Sequence, residues 1–201
     1  MTSRESHPSK GSHGTLLKEY KLDTGLIHYY FGDGKGKTSS LIGTIIRALG
    51  NGLKPILIQF LKLHTESDKE EGFFMGEINF LSKFIPIRQF GSGSFIRPDK
   101  KPRIADKKLM RKGFDFAKSI ILQGNYDLVA LDEIINAISL NLIKLEELLK
   151  LLKNKPDHVE VICTGFMYYS KLKRISNYVV HFGSLNHPYK DGIDARRGIE
   201  Y

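Results

Sequence analysis

The chain is 201 residues long, with 41% hydrophobic and 26% charged residues and a formal net charge of +9. This length fits one domain, and no apolar run approaches the ~20 residues that cross a bilayer, which argues against a membrane protein. Cys163 is the single cysteine and has no partner for an internal disulfide, and the seven histidines lack the spacing of a zinc site. Residues 1–24 predict a mobile leader without a signal peptide, and hence a cytoplasmic protein.

Two thirds of the positive excess lies between Arg97 and Lys118, where nine Lys or Arg outnumber three Asp, a local net charge of 9 − 3 = +6. A block of this kind is more often a solvated helix face than a polyanion site. No aromatic-rich nucleic-acid motif accompanies it. We therefore do not expect a nucleic-acid partner. The alternative is that this block lines a polyanion site.

Six short apolar runs alternate with longer amphipathic stretches along the chain. The runs are 26–31, 55–60, 85–90, 127–131, 159–163 and 178–182. Continuously apolar strands separated by helices indicate a mainly parallel, six-stranded sheet of an α/β fold, with helices on both faces. The predicted helices are 37–49, 105–123 and 142–153, and the last has a core stripe of Leu142, Leu145, Leu149 and Leu152.

A glycine-rich segment connects the first strand to the first helix. Three glycines within five positions allow a tight turn whose N–H groups face inward, at a helix N-terminus that favours anions. This predicts a phosphate-binding loop (P-loop) of Gly32, Asp33, Gly34, Lys35, Gly36, Lys37, Thr38 and Ser39. Lys37 would reach the outer phosphates of a nucleotide polyphosphate, and Thr38 would hold magnesium. The spacing is one residue shorter than G-x-x-x-x-G-K-[ST], because position 31 is Phe31.

Two carboxylates, Asp132 and Glu133, directly follow the fourth strand, at the tip predicted to lie nearest the loop. Ligands of open parallel sheets bind beyond the carboxyl ends of the strands, so the segments that start at 32, 61, 91, 132 and 164 should converge. Thr38, Asp132 and Glu133 are therefore the predicted ligands of Mg²⁺ or Mn²⁺. Lys37, Thr38 and Glu133 are the predicted catalytic residues. A helix N-cap is the alternative role of the acidic pair.

Together these segments resemble the corrinoid adenosyltransferases of the ATP:cob(I)alamin type, from about residue 25 to 201. The family's loop reads G-[ND]-G-K-G-K-T-[ST], which fits residues 32–39 and accounts for the short spacing. The other matching segments are 59–62, 126–128, 131–134, 164–165 and the closing segment 187–201. Phe166 stands where the family usually has arginine, Ser176-Asn177 replaces Ala-Asp, and Asn186 replaces lysine.

The resemblance implies a single-domain P-loop (Rossmann-like) fold over 25–201 that transfers the 5′-deoxyadenosyl group of ATP to cobalt(I) of a reduced corrinoid. The corrinoid is cobalamin or a precursor, triphosphate is released, and adenosylcobalamin is made or salvaged. It also implies ligand binding by Phe95, His187, Arg196 and Glu200, a homodimer, and a flavoprotein as electron donor. The alternatives are a P-loop ATPase or kinase, which cleaves between phosphates, and a non-catalytic corrinoid- or nucleotide-binding relative.

Overall fold

A computed structural model describes residues 21–64, 74–92 and 102–200. Six parallel strands form one sheet in the order β3-β2-β4-β5-β1-β6. The strands are β1 (Ile27–Phe31), β2 (Pro55–Phe60), β3 (Ile87–Phe90), β4 (Leu128–Asp132), β5 (Glu160–Gly165) and β6 (Tyr178–His181). The helices are α1 (Lys37–Gly50), α2 (Gly76–Leu81), α3 (Ile104–Gln123), α4 (Ile134–Ser139), α5 (Leu145–Lys153) and α6 (Ser170–Lys173), and a short 3-10 helix spans Pro188–Asp191. The predicted α/β fold is confirmed, and it is consistent with a P-loop, Rossmann-like domain.

Helices cover both faces of the sheet, because the central strands send apolar side chains to both sides. On one face, Val129 and Leu131 of β4 pack into a core that includes residues of α3, α4 and α5. On the other face, Leu128 and Ala130 pack with residues of α1 and α2. The two buried faces explain why the strands read as continuous apolar runs.

The predicted helix over 142–153 is wrong at its start, since α5 begins at Leu145. Asn141 has a left-handed φ of 56°, and the N–H of Leu142 donates to the carbonyl of Ala137 at 3.0 Å, so a turn ends α4 here. The fully buried leucines of α5 are Leu148, Leu151 and Leu152, whereas Leu145 and Leu149 are partly buried against the same core. All four predicted leucines therefore contact the core, although Leu142 lies before the helix. The helices α2, α4 and α6 were not predicted, because four to six residues carry little periodicity.

Some basic side chains of the described part of the basic block, residues 102–118, form salt bridges within the protein. Arg103 pairs with Asp106 at 2.9 Å. Arg111 pairs with Asp115 at 2.9 Å and with Glu147 at 2.8 Å. Cys163 is fully buried in β5, as predicted. Over the described ranges, the protein has no helix with the length and hydropathy needed to cross a membrane.

Candidate nucleotide-binding site

Segment 32–36 forms a tight loop between β1 and α1. Gly32 and Gly36 have φ values of 120° and 117°, a region that side chains other than glycine rarely adopt. A Cβ on Gly32 would lie 2.2 Å from the carbonyl oxygen of Phe182, just after β6. The N–H of Gly34 donates to that same oxygen at 2.8 Å. The protein itself therefore fixes the shape of the loop.

Lys37 opens α1 with its side chain folded back over the loop. Its ammonium donates to the carbonyl oxygens of Gly32 at 2.6 Å and Gly34 at 2.8 Å, and the residue is only 7% exposed. The Nζ atom also lies 4.8 Å from the centroid of the Phe166 ring. Burial lowers the pKa of Lys37, although the charge of Glu133 opposes this shift. The arrangement holds a lysine where the outer phosphates of a nucleotide would lie.

Asp132 is the centre of the polar network and is completely buried. Its Oδ1 accepts hydrogen bonds from the hydroxyls of Thr38 at 3.1 Å and Thr164 at 2.8 Å. Its Oδ2 accepts from Gln59 Nε2 at 2.9 Å and from Lys62 Nζ at 2.8 Å. Burial raises the pKa of Asp132, but Lys62 and these hydrogen bonds outweigh burial and lower it. Asp132 is therefore held as a carboxylate.

The strand order corrects one expectation about this carboxylate. Strand β4 is not adjacent to β1, because β5 lies between them. Thr164 of β5 makes the connection, since its hydroxyl donates to Asp132 and accepts from the N–H of Glu133 at 2.9 Å. The loop nevertheless reaches the β4 tip through Thr38. The segments that start at residues 32, 132 and 164 thus converge as predicted.

Glu133 has a left-handed φ of 62° and occupies the N-cap position of α4, but its side chain makes no capping hydrogen bond. Its carboxylate instead accepts from Asn136 Nδ2 and lies 3.9 Å from Lys62 Nζ. Burial and the charge of Asp132 raise the pKa of Glu133 to about 7, against the lowering effects of Lys62 and Lys37. The N-cap alternative therefore holds for the position of this residue but not for its carboxylate.

Lys62 and its neighbours are the part of the site that the sequence did not assign. Lys62 Nζ lies 2.8 Å from Asp132 Oδ2 and 3.3 Å from Thr38 Oγ1. Burial opposes its charge, but Asp132 and Glu133 outweigh burial and raise the pKa of Lys62. Gln59 and Thr164 complete the network around Asp132. The available signal was position, because all three lie in or just after the carboxyl end of a strand.

The closing segment contributes two predicted residues to the edge of the loop. Lys35 Nζ donates to Glu200 Oε1 at 2.9 Å, and Arg196 NH2 lies 3.2 Å from the same oxygen. Hydrogen bonds from Arg196 and Lys35 lower the pKa of Glu200 to about 2. His187 instead accepts from the N–H of Tyr189 at 3.2 Å and caps the 3-10 helix.

Two predicted site residues of the loop, Asp33 and Ser39, are exposed. Phe95 lies outside the described residues. The structure therefore brings together the loop, Asp132, Glu133, Arg196 and Glu200, and it leaves Phe95 as a prediction.

The family model of the ATP:corrinoid adenosyltransferases BtuR/CobO/CobP matches residues 23–201, which is most of the chain. The chain belongs to this family. It is 28% identical to the corrinoid adenosyltransferase of Escherichia coli strain K12 over 179 residues, which cover 89% of this chain and 87% of the relative. Against the corrinoid adenosyltransferase of Pseudomonas aeruginosa it is 28% identical over 186 residues, 92% of this chain and 88% of the relative.

A longer relative is an uncharacterized protein of Nostoc sp. strain PCC 7120. It is 31% identical over 172 residues, which cover 82% of this chain but only 45% of the relative. The chain therefore spans less than half of that protein's length. Membership of the family implies ATP and a corrinoid as the two substrates.

The donor set of this candidate site fits magnesium. Thr38, Asp132 and Glu133 supply a hydroxyl and two carboxylates, the hard oxygen ligands that Mg²⁺ prefers. The described residues contain no group of three or more His, Cys, Asp or Glu that could hold a metal alone.

Proposed function

We propose that this protein transfers the 5′-deoxyadenosyl group of ATP to the cobalt(I) of a reduced corrinoid, cobalamin or a precursor, and releases triphosphate. The observation that carries the proposal is the P-loop of a corrinoid adenosyltransferase chain, with Lys37 bonded across its loop and Thr38 bonded to Asp132. Cobalt(I) attacks the ribose 5′-carbon, the carbon–oxygen bond breaks, and its electron pair leaves with the triphosphate.

The protein's task in this reaction is to gather the charge of the leaving triphosphate. Lys37 and the loop N–H groups other than those of Gly32 and Gly34, which are bonded within the protein, would donate to the phosphates at the positive end of α1. Groups that are preorganised in this way typically contribute on the order of 3 kcal/mol each to lowering a barrier. Lys37 acts as a catalytic residue because it would touch the leaving group.

Thr38, Asp132 and Glu133 would hold magnesium at the same phosphates. When bound, the ion neutralises charge that develops on the triphosphate. Asp132 orients the Thr38 hydroxyl through the hydrogen bond at 3.1 Å. Glu133 stands beside it with a raised pKa and would be the ligand that the metal deprotonates.

The remaining parts of the proposal come from the family likeness. Phe95, His187, Arg196 and Glu200 would contribute to the corrinoid or nucleotide site, with Arg196 and Glu200 placed beside Lys35. The working form would be a homodimer, with a flavoprotein as a source of electrons.

The experiment is an anaerobic mixture of the protein, Mg²⁺, ATP and chemically reduced cobalamin. We expect a light-sensitive cobalt–carbon product and intact triphosphate in equal amounts. The Lys37→Met variant should slow this step by about 100-fold. Free phosphate without alkylated cobalt would contradict the proposal and favour an ATPase, and ATP binding without any product would favour a binding-only protein.

A further inference from the structure

We propose that Lys62 is a built-in counter-ion of the metal site. Its ammonium donates to Asp132 at an acceptor position that a divalent cation needs, so the metal binds only together with the triphosphate. The inference rests on the proposed function because it concerns the same site. It is tested, however, through metal binding and not through turnover.

The acceptor positions of the Asp132 carboxylate are all taken by described residues. Each carboxylate oxygen offers about two lone-pair positions. Thr38 and Thr164 donate to Oδ1, and Gln59 and Lys62 donate to Oδ2, at 2.8 to 3.1 Å. A metal ion bonded directly to Asp132 must therefore displace one of these donors.

Lys62 is the donor best able to leave. Gln59 and Thr164 are fully buried, and Gln59 is held further by Gln89, whose Nε2 donates to its Oε1 at 2.7 Å. The Lys62 side chain is 25% exposed and carries its ammonium on a flexible four-carbon stem. Its Nζ also contacts Thr38 Oγ1 at 3.3 Å, so it competes for two predicted metal ligands at once.

The charges of the site favour joint entry of metal and triphosphate. With Asp132 and Glu133 ionised, two carboxylates face the ammonium groups of Lys37 and Lys62, a formal sum of zero. A divalent ion alone would add two positive charges beside two ammonium groups, and the repulsion between like charges makes this unfavourable. The triphosphate of ATP carries more negative charge than the ion neutralises, and its oxygens are acceptors for the displaced Lys62.

The backbone presents Lys62 at this place. Leu61 has a left-handed φ of 61° directly after β2. Gly91, after β3, lies so close that a Cβ on it would be 2.6 Å from the backbone nitrogen of Lys62. The backbone at Lys62 is therefore held in place, while its side chain is partly exposed. This combination suits a group that must change partners.

The experiment measures Mn²⁺ binding to the nucleotide-free, full-length protein from the electron paramagnetic resonance signal of free Mn²⁺. The wild type should bind weakly, and Lys62→Met should bind at least about 10-fold more tightly. Lys62→Arg keeps the charge and should stay as weak as the wild type. Lys108→Met, which removes the same charge from an exposed position on α3, is the matched control and should not differ from the wild type.

Two results would overturn the proposal: tight Mn²⁺ binding by the wild type without nucleotide, or Lys62→Met binding no more tightly than Lys108→Met. If circular dichroism shows that Lys62→Met is unfolded, Lys62→Gln takes its place with the same expected gain. If the Lys62 variants bind Mn²⁺ as predicted but the protein makes no alkylated corrinoid, the proposed function is rejected and this inference is kept. If the protein makes alkylated corrinoid but Lys62→Met binds Mn²⁺ no more tightly than Lys108→Met, this inference is rejected and the proposed function is kept.

Discussion

At the scale of single residues, two of the three described non-glycine residues with a left-handed φ lie at the site. Leu61 and Glu133 are non-glycine residues with φ values near 60°, and each directly follows a strand of the sheet. Such conformations cost on the order of 1 to 3 kcal/mol each and persist where the surroundings enforce them. Here they bring Lys62 and the Glu133 carboxylate to the same side of Asp132.

Glu133 should make the ligand-free protein less stable as the pH rises. Its folded pKa of about 7 lies above its ordinary value of 4.5, so between these pH values the unfolded chain loses the proton first. The stabilisation is complete below about pH 4.5 and is lost as the pH passes 7. At pH 8, Glu133→Gln should therefore raise the free energy of unfolding in urea by about 1 to 3 kcal/mol.

The control for this measurement is Asp157→Asn, which removes a carboxylate from an exposed position. Asp157→Asn should not raise the free energy of unfolding at pH 8. A Glu133→Gln variant that is less stable than the wild type at pH 8 would contradict the burial of an ionised Glu133.

Phe166 gives a second test at a single position. Its half-exposed ring lies over the Lys37 ammonium, where its relatives usually have arginine. A guanidinium there can donate to phosphates, so Phe166→Arg should bind Mg²⁺–ATP about 10-fold more tightly by calorimetry. Phe166→Leu, which adds no donor, should stay within about threefold of the wild type. Equal affinities for the arginine and leucine variants would place residue 166 away from the phosphates.

At the scale of elements, the junction of β1, the loop and β6 decides whether the site forms. Gly32→Ala should lower the free energy of unfolding by about 3 kcal/mol and abolish ATP binding, since its methyl group would meet the Phe182 carbonyl at 2.2 Å. Gly43, inside α1, has open space around it, so Gly43→Ala should raise stability by about 0.5 to 1 kcal/mol. Chemical unfolding and ATP titration measure both variants. Equal stabilities would contradict the described loop.

The same junction accommodates Asn177, which stands where the family pattern has aspartate. Asn177 precedes β6, and its side-chain oxygen accepts the N–H of Ile27 at 2.9 Å while its own N–H donates to the Ile27 carbonyl at 2.9 Å. An amide oxygen and a carboxylate oxygen can both accept this hydrogen bond. The β1–β6 pairing therefore does not need an aspartate here.

At the scale of the whole molecule, the sequence predicted the sheet better than the network at its edge. The strands were found because burial on both faces leaves continuous apolar runs, and the loop was found because its glycines and Lys37 have a fixed spacing. Lys62 was missed because its role depends on the order of β2, β4 and β5, which no local pattern records. Helix α4 was missed because six residues reveal too little period. The leader over 1–24 and the homodimer stay predictions.

The most direct test of the account is the bond that breaks in ATP. ATP labelled with oxygen-18 at the bridge between the ribose 5′-carbon and the α-phosphorus is incubated anaerobically with the protein, Mg²⁺ and cobalt(I) corrinoid, and the products are read by phosphorus NMR and mass spectrometry. We expect all of the label in intact triphosphate, because attack at the 5′-carbon leaves that oxygen on phosphorus. Label retained in ADP or AMP, with cleavage between phosphates, would contradict adenosyl transfer.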